Sequence, residues 1–252
     1  MYSEYLLMLI CGHMIGDFYL QSEKMARKKD EKYSGVCIHG LCYGAVLLLM
    51  SLVIKSREVI IYTSVAVVMH FIIDSLKYLY IKNIKVKSQR VTKNIFIIDQ
   101  SIHLLSLLII AFLFARGGGQ VMCAFDVITE YFSLIKTSPQ HVFLWVTILL
   151  IVHKPANVFI GQILAGYKPS EAEDVQMQTS DKRAGRYIGS LERIIMVILM
   201  SVGQYAAMGL VLTAKSIARY DRITKDSAFS EYYLLGTLLS TLTAIGVFLL
   251  LK

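Results

Sequence analysis

The sequence predicts an all-α, polytopic helical membrane protein with about seven transmembrane or membrane-embedded helices. Three observations carry that prediction. Of the 252 residues, 56% are hydrophobic and only three are proline. The mean hydropathy is +0.57, far from a soluble composition. Several apolar runs approach the roughly 20 residues that cross a bilayer as helix, and the alternation of outer-membrane strands is missing.

Taken in order, the apolar runs place helices over 5–20, 36–54, 59–81, 95–114, 141–165, 187–213 and 232–251. The first is short for a full span and is expected to tilt or to sit partly embedded. It lacks the basic leader and small-residue cleavage site of a signal peptide, so it is expected to stay attached. Gly117, Gly118 and Gly119 break the chain after the fourth helix, and 124–135 has the pattern of an amphipathic interfacial segment. The expected organisation is therefore a four-helix membrane unit over 1–115, a linker over 116–140, and a three-helix membrane unit over 141–252 with a polar loop at 166–186.

The formal charge of +8 does not point to nucleic acid, because Lys and Arg gather in loops between apolar segments, where they orient the chain in the bilayer. Membrane lipids are the expected counter-ions and partners; no nucleic acid partner is expected, and the sequence carries no sign of an oligomeric state. The basic loops 24–32 and 82–93 should face the cytoplasm, as should 166–186. Lys215, Arg219, Arg222 and Lys225 break this alternation. Either a helix is misassigned there, or Asp221, Asp226 and Glu231 hold these cations. The four cysteines, Cys11, Cys37, Cys42 and Cys123, show no CxxC spacing, so neither disulfides nor a thiolate metal site is expected.

Seven polar residues sit inside the apolar stretches of the first half: His13, Asp17, His39, His70, Asp74, Asp99 and His103. His13 and Asp17, His70 and Asp74, and Asp99 and His103 are each four apart, hence on one face of a helix. On the expected layout Asp17, His39, Asp74 and Asp99 share one depth. His13, His70 and His103 lie one turn deeper, roughly 6 Å further in. Such residues are costly in hydrocarbon, and an intramembrane ionisable residue reads by default as functional.

Imidazole nitrogen and carboxylate oxygen are the ligand set of zinc, manganese and iron, and two ligands one turn apart can share an ion. Three carboxylates and four imidazoles exceed a single tetrahedral site, so either two ions bind or some members orient ligands and move protons. A divalent ion would also offset the cost of the buried carboxylates. No organic cofactor is implied. The competing reading is a set of interhelical hydrogen bonds with no ion at all. Gln21 and Gln100 continue the polar faces, equally well as packing hydrogen bonds. Lys77 follows one turn after Asp74 and can either hold a phosphate oxygen or snorkel to the interface.

The second half carries Lys154 and Asn157 around Pro155, then Glu192 and Arg193, with no metal-ligand spacing. Asn157 is expected to satisfy the carbonyl freed by the proline. Lys215 and Arg219 form a cationic face for headgroups or for Glu231, and Gly236, Ser240 and Ala244 form a stripe for close helix packing.

With GHMIGDFYLQSEKMARKK, HFIIDSLK and FIIDQSIH in this order, the first 115 or so residues resemble the bacterial membrane family known as domain of unknown function 3307. HKPANVFIG, GSLERIIM and AKSIARY look like the extension of its longer members. The resemblance implies a multipass protein of the bacterial cytoplasmic (inner) membrane and weight on the His/Asp positions, and no reaction. The chain is also distantly similar to inner-membrane metal-dependent hydrolases with His and Asp in their helices.

The leading expectation is a metal-dependent hydrolase acting on a lipid-linked phosphate. The ion is held among His13, Asp17, His39, His70, Asp74, Asp99 and His103, and Asp17, Asp74, Asp99 and Lys77 serve the chemistry. The alternatives are an ion- or proton-coupled transporter or channel, and a sensor or scaffold whose polar cluster only fixes packing.

Overall fold

The computed structural model describes residues 2–54, 56–83, 89–121, 126–167 and 179–252. Among these the chain is all-α, with no strands, and five helices are long and apolar enough to cross a membrane. The protein is an all-α polytopic membrane protein. Cys123 and parts of the loops 82–93 and 166–186 lie outside the described residues. So does the start of the amphipathic segment at 124–135, whose remainder forms a short helix, α6 (Asp126–Leu134).

Two compact units divide between Thr147 and Ile148, inside helix α7 (Pro139–Leu164). The sequence closes its first unit at 115 and opens its last at 141.

In the first unit, α1 (Tyr2–Met14) runs on as a π-helical turn, Ile15–Leu20, and is followed by the short α2 (Glu23–Glu31). Three long helices complete it: α3 (Tyr33–Leu52), α4 (Arg57–Asn83) and α5 (Gln89–Arg116). Their faces are sorted opposite to those of a soluble protein. α4 exposes Ile61, Val65, Val68, Ile72, Leu76 and Leu79 while burying Thr63, His70 and Asp74. α5 exposes Ile98, Ile102, Leu105, Ile109 and Phe112 while burying Asp99 and His103. Steps of three and four on each face are the helical period, and apolar-out, polar-in is what a lipid solvent selects.

Small residues bring the backbones close. A Cβ on Gly12 of α1 or on Gly16 of the π-helical turn would run into Leu47 and Tyr43 of α3. One on Gly40 or Gly44 of α3 would meet Phe71 and Val67 of α4 at 2.8 and 2.9 Å. α3 is thus clamped between α1 and α4, and its His39 is delivered between them.

The short α2 is capped by Ser22, whose Oγ accepts the Met25 N–H at 3.2 Å. It is pressed onto α3 at Gly35, where a Cβ would collide with the Lys28 carbonyl.

The second unit holds the rest of α7, then α8 (Thr179–Ser201), α9 (Tyr205–Ile217), α10 (Tyr220–Lys225) and α11 (Ser227–Leu251). The single helix expected over 187–213 is two. Gly203, with φ +72°, ends α8 in the left-handed conformation that glycine adopts without strain. The Gln204 N–H then closes back on the Leu199 carbonyl at 2.8 Å. α9 packs back along α8, which sets Lys215 Nζ 2.7 Å from Glu192 Oε2. The partner of Lys215 is Glu192 of α8, not Glu231.

Arg193, 2% exposed, joins three helices. Its Nε donates to the Val152 carbonyl at 2.6 Å, Nη1 to Ser240 Oγ at 3.0 Å and Nη2 to Asn157 Oδ1 at 2.7 Å. Asn157 Nδ2 in turn donates to Ser190 Oγ at 2.8 Å. Near Pro155, Arg193 bonds the Val152 carbonyl and Asn157 serves the guanidinium. Ser240 and Ala244 are buried in α11, and Gly236 faces Leu164.

Candidate metal centre in the first unit

Four-residue steps along α1, α3, α4 and α5 build three stacked tiers. Asp17, His39, Asp74 and Asp99 form the first, and one turn deeper lie His13, Tyr43, His70 and His103. The next turn is Leu9, Leu47, Ala66 and Leu107, all members of one buried apolar cluster. All seven residues picked from the sequence are at most 9% exposed, and they converge.

In the second tier the ring centroids of His13, His70 and His103 lie 4.3 to 5.8 Å apart. Tyr43 covers His70 face to face, with centroids at 3.5 Å and planes 6° apart. Its hydroxyl lies 3.3 Å from His13 Nδ1.

The centre of the site is the pair His39 Nε2 and His70 Nε2, 3.2 Å apart. Asp74 Oδ2 lies 3.4 Å from the first and 3.3 Å from the second. Asp17 Oδ1, on the same two nitrogens, lies at 3.0 and 3.3 Å. Each carboxylate oxygen thus makes a near-equilateral triangle with the imidazoles. Ligands held about 2.0 Å from a tetrahedral ion are spaced by about 3.3 Å, so either triangle has the dimensions of one face of such a site.

A second group adjoins. Asp74 Oδ1, Asp99 Oδ1 and His103 Nε2 are buried with no hydrogen-bond partner. His103 Nε2 is 3.9 Å from Asp74 Oδ1, and His103 Nδ1 is 3.6 Å from Asp99 Oδ1. Orphaned buried polar atoms are rare, and Asp74, Asp99 and His103 bring ligand atoms within 4.8 Å of one another, close enough to share an ion. Asp74 therefore addresses both groups, one oxygen to each. His13, Asp17 and His70 also bring ligand atoms within 4.8 Å of one another. Gln100 ties the groups together, donating to Asp17 Oδ2 and Asp99 Oδ2 at 3.3 Å each, with its Oε1 3.4 Å from His13 Nε2.

Lys77, singled out from the sequence, lies at the rim with Nζ 2.8 Å from Asp99 Oδ2. The sequence reading missed two residues. Lys29 of α2 is 5% exposed, with Nζ 2.7 Å from Asp74 Oδ2; in a basic loop it looked like one more headgroup contact. Tyr43 carried a usable signal, since it follows His39 by the same four residues as the His/Asp pairs. Gln21 is half-buried and follows the π-helical turn, outside the cluster.

The family model whose description reads "Protein of unknown function (DUF3307)" matches residues 5–132, half of the chain, a stretch containing every member of the cluster. Searches of curated proteins and of solved structures each found no significant match.

Proposed function

The chain belongs to the DUF3307 family, a description that names no reaction, and from the site itself we propose a metal-dependent hydrolase that acts on a lipid-linked phosphate. The observation that carries the reading is the near-equilateral triangle of His39 Nε2, His70 Nε2 and Asp74 Oδ2. His39, His70, Asp74 and Asp17 would hold one divalent ion, zinc, manganese or iron. Asp99 and His103, reached through the second oxygen of Asp74, would hold another or serve as base. Bound there, the ion polarises a phosphoryl oxygen and lowers the pKa of a water. His13, fixed by Tyr43 and Gln100, is the group left to carry a proton.

The location supports a lipid substrate. The carboxylate tier lies on the side of the basic residues of α2 and of Lys77 and Lys82, the side that the distribution of Lys and Arg assigns to the cytoplasm. The membrane would be the bacterial inner membrane. On the opposite side the tier of Leu9, Leu47, Ala66 and Leu107 is apolar on all four helices. That argues against a polar path across the bilayer, and hence against the transporter reading.

The test is phosphate release from phosphatidic acid or a polyprenyl phosphate by protein in nanodiscs. Activity that needs added manganese or zinc, is removed by a chelator, and is lost in His70→Ala and Asp74→Asn supports the proposal. Metal-loaded, folded protein that releases phosphate from neither substrate counts against hydrolysis.

A further inference from the structure

Both ammonium groups of the site are spent on its own carboxylates. Lys29 Nζ sits 2.7 Å from Asp74 Oδ2 and Lys77 Nζ 2.8 Å from Asp99 Oδ2. With neutral imidazoles, Asp17, Asp74 and Asp99 against these two lysines leave one net negative charge, and Asp30, which faces both lysines from the end of α2, adds a second. One divalent ion cancels that charge, and a second leaves two net positive charges. A buried net charge is costly unless paired, so a fully loaded site calls for an anion where an empty one repels it.

Lys29 is placed for this exchange. The Asp74 oxygen that it holds is the one in the imidazole triangle, so an ion on that oxygen withdraws the charge that keeps the ammonium in place. Its backbone is pinned by the Ser22 cap and by the contact of Lys28 with Gly35. The long side chain can therefore turn while α2 stays on α3. Lys77, 20% exposed along its side chain, flanks the same carboxylates from α4.

We propose that Lys29 and Lys77 form a metal-gated anion clamp, holding Asp74 and Asp99 in the free protein and passing to the oxygens of a phosphate monoester once an ion has taken those carboxylates. The clamp rests on the metal reading above and adds an order to it: ion first, phosphate second. It also gives Lys29 two effects of opposite sign. Its charge opposes the ion and attracts the phosphate.

Calorimetry on the full chain in phosphatidylcholine nanodiscs tests this, first with manganese alone, then with inorganic phosphate, with protein-free nanodiscs as the control. The expected result is phosphate binding only after manganese. In Lys29→Gln manganese should bind about tenfold tighter or more. Phosphate should bind about tenfold to hundredfold more weakly, the loss of one charged hydrogen bond. Lys29→Arg should keep phosphate binding near that of the parent. The wild-type order of binding tests the clamp even if the glutamine variant does not fold. Phosphatidic acid in the nanodisc that displaces inorganic phosphate identifies a lipid headgroup as the source, and failure to displace it identifies a soluble phosphate; both uphold the clamp. Equal phosphate binding with and without manganese, or unchanged phosphate binding in Lys29→Gln, overturns the clamp and leaves the metal site standing. No manganese binding at all removes the metal reading itself.

Discussion

Tyr43 lies flat on His70, ring on ring at 3.5 Å and 6°, and this contact sets where the imidazole can point. A ring pressed on one face is held about its Cβ–Cγ bond, so His70 Nε2 stays toward His39 and the two carboxylates. Supporting contacts of this kind decide whether a metal ligand is preorganised.

Removing only the Tyr43 hydroxyl loses the contact to His13 Nδ1 and keeps the stack. Tyr43→Phe should cost about 1 kcal/mol of stability and leave metal content near wild type. Tyr43→Ala removes the stack and opens a cavity, with a cost of about 3–5 kcal/mol and a clear fall in bound metal. Thermal unfolding in detergent and elemental analysis of the two variants together check the difference.

At Gly35 there is no room for a side chain beside the Lys28 carbonyl. Gly35→Val should lift α2 off α3 and draw Lys29 from Asp74, with an overpacking cost of about 1–3 kcal/mol. Protease cleavage after the basic residues of α2, measured against the parent, should become faster.

Arg193 in the second unit donates its hydrogen bonds to neutral acceptors: Val152, Asn157, Ser190 and Ser240. Arg193→Ala leaves the Val152 carbonyl and Asn157 Oδ1 without their donor and should destabilise by roughly 1–3 kcal/mol. Metal content should not change, since no ligand of the cluster lies in that unit. Unfolding temperature falling while metal per chain holds is the expected pair of readings.

The buried apolar tier of Leu9, Leu47, Ala66 and Leu107 below the imidazoles predicts that liposomes carrying the protein show no manganese or proton flux above empty liposomes under an imposed gradient. Gradient-driven flux that disappears in His70→Ala would favour the transport reading.

The site was largely legible in the sequence because hydrocarbon makes polar residues conspicuous: His70 and Asp74 stand out on an otherwise apolar helix, and the four-residue step shows which face they share. Their common depth can be read across four helices because the basic loops 24–32 and 82–93 mark the same end of each. Lys29 was hidden for the opposite reason, since a lysine among lysines carries no such contrast and only the approach at Gly35 buries it. The break at Gly203 was also invisible, because glycine is common within membrane helices and nothing in the residue types marks this one as left-handed. Arg193 and Asn157 stand out in the sequence as polar, but their pairing depends on how α7, α8 and α11 meet, which spacing along one helix does not encode.

The central claim is that His39, His70 and Asp74 hold a divalent ion, and metal content measures it most directly. Elemental analysis of gently purified, folded protein should find about one or two zinc, manganese or iron ions per chain, lost in both Asp74→Asn and His70→Ala. Folded wild-type protein with no more metal than these variants, and none taken up when zinc, manganese or iron is supplied, would contradict it.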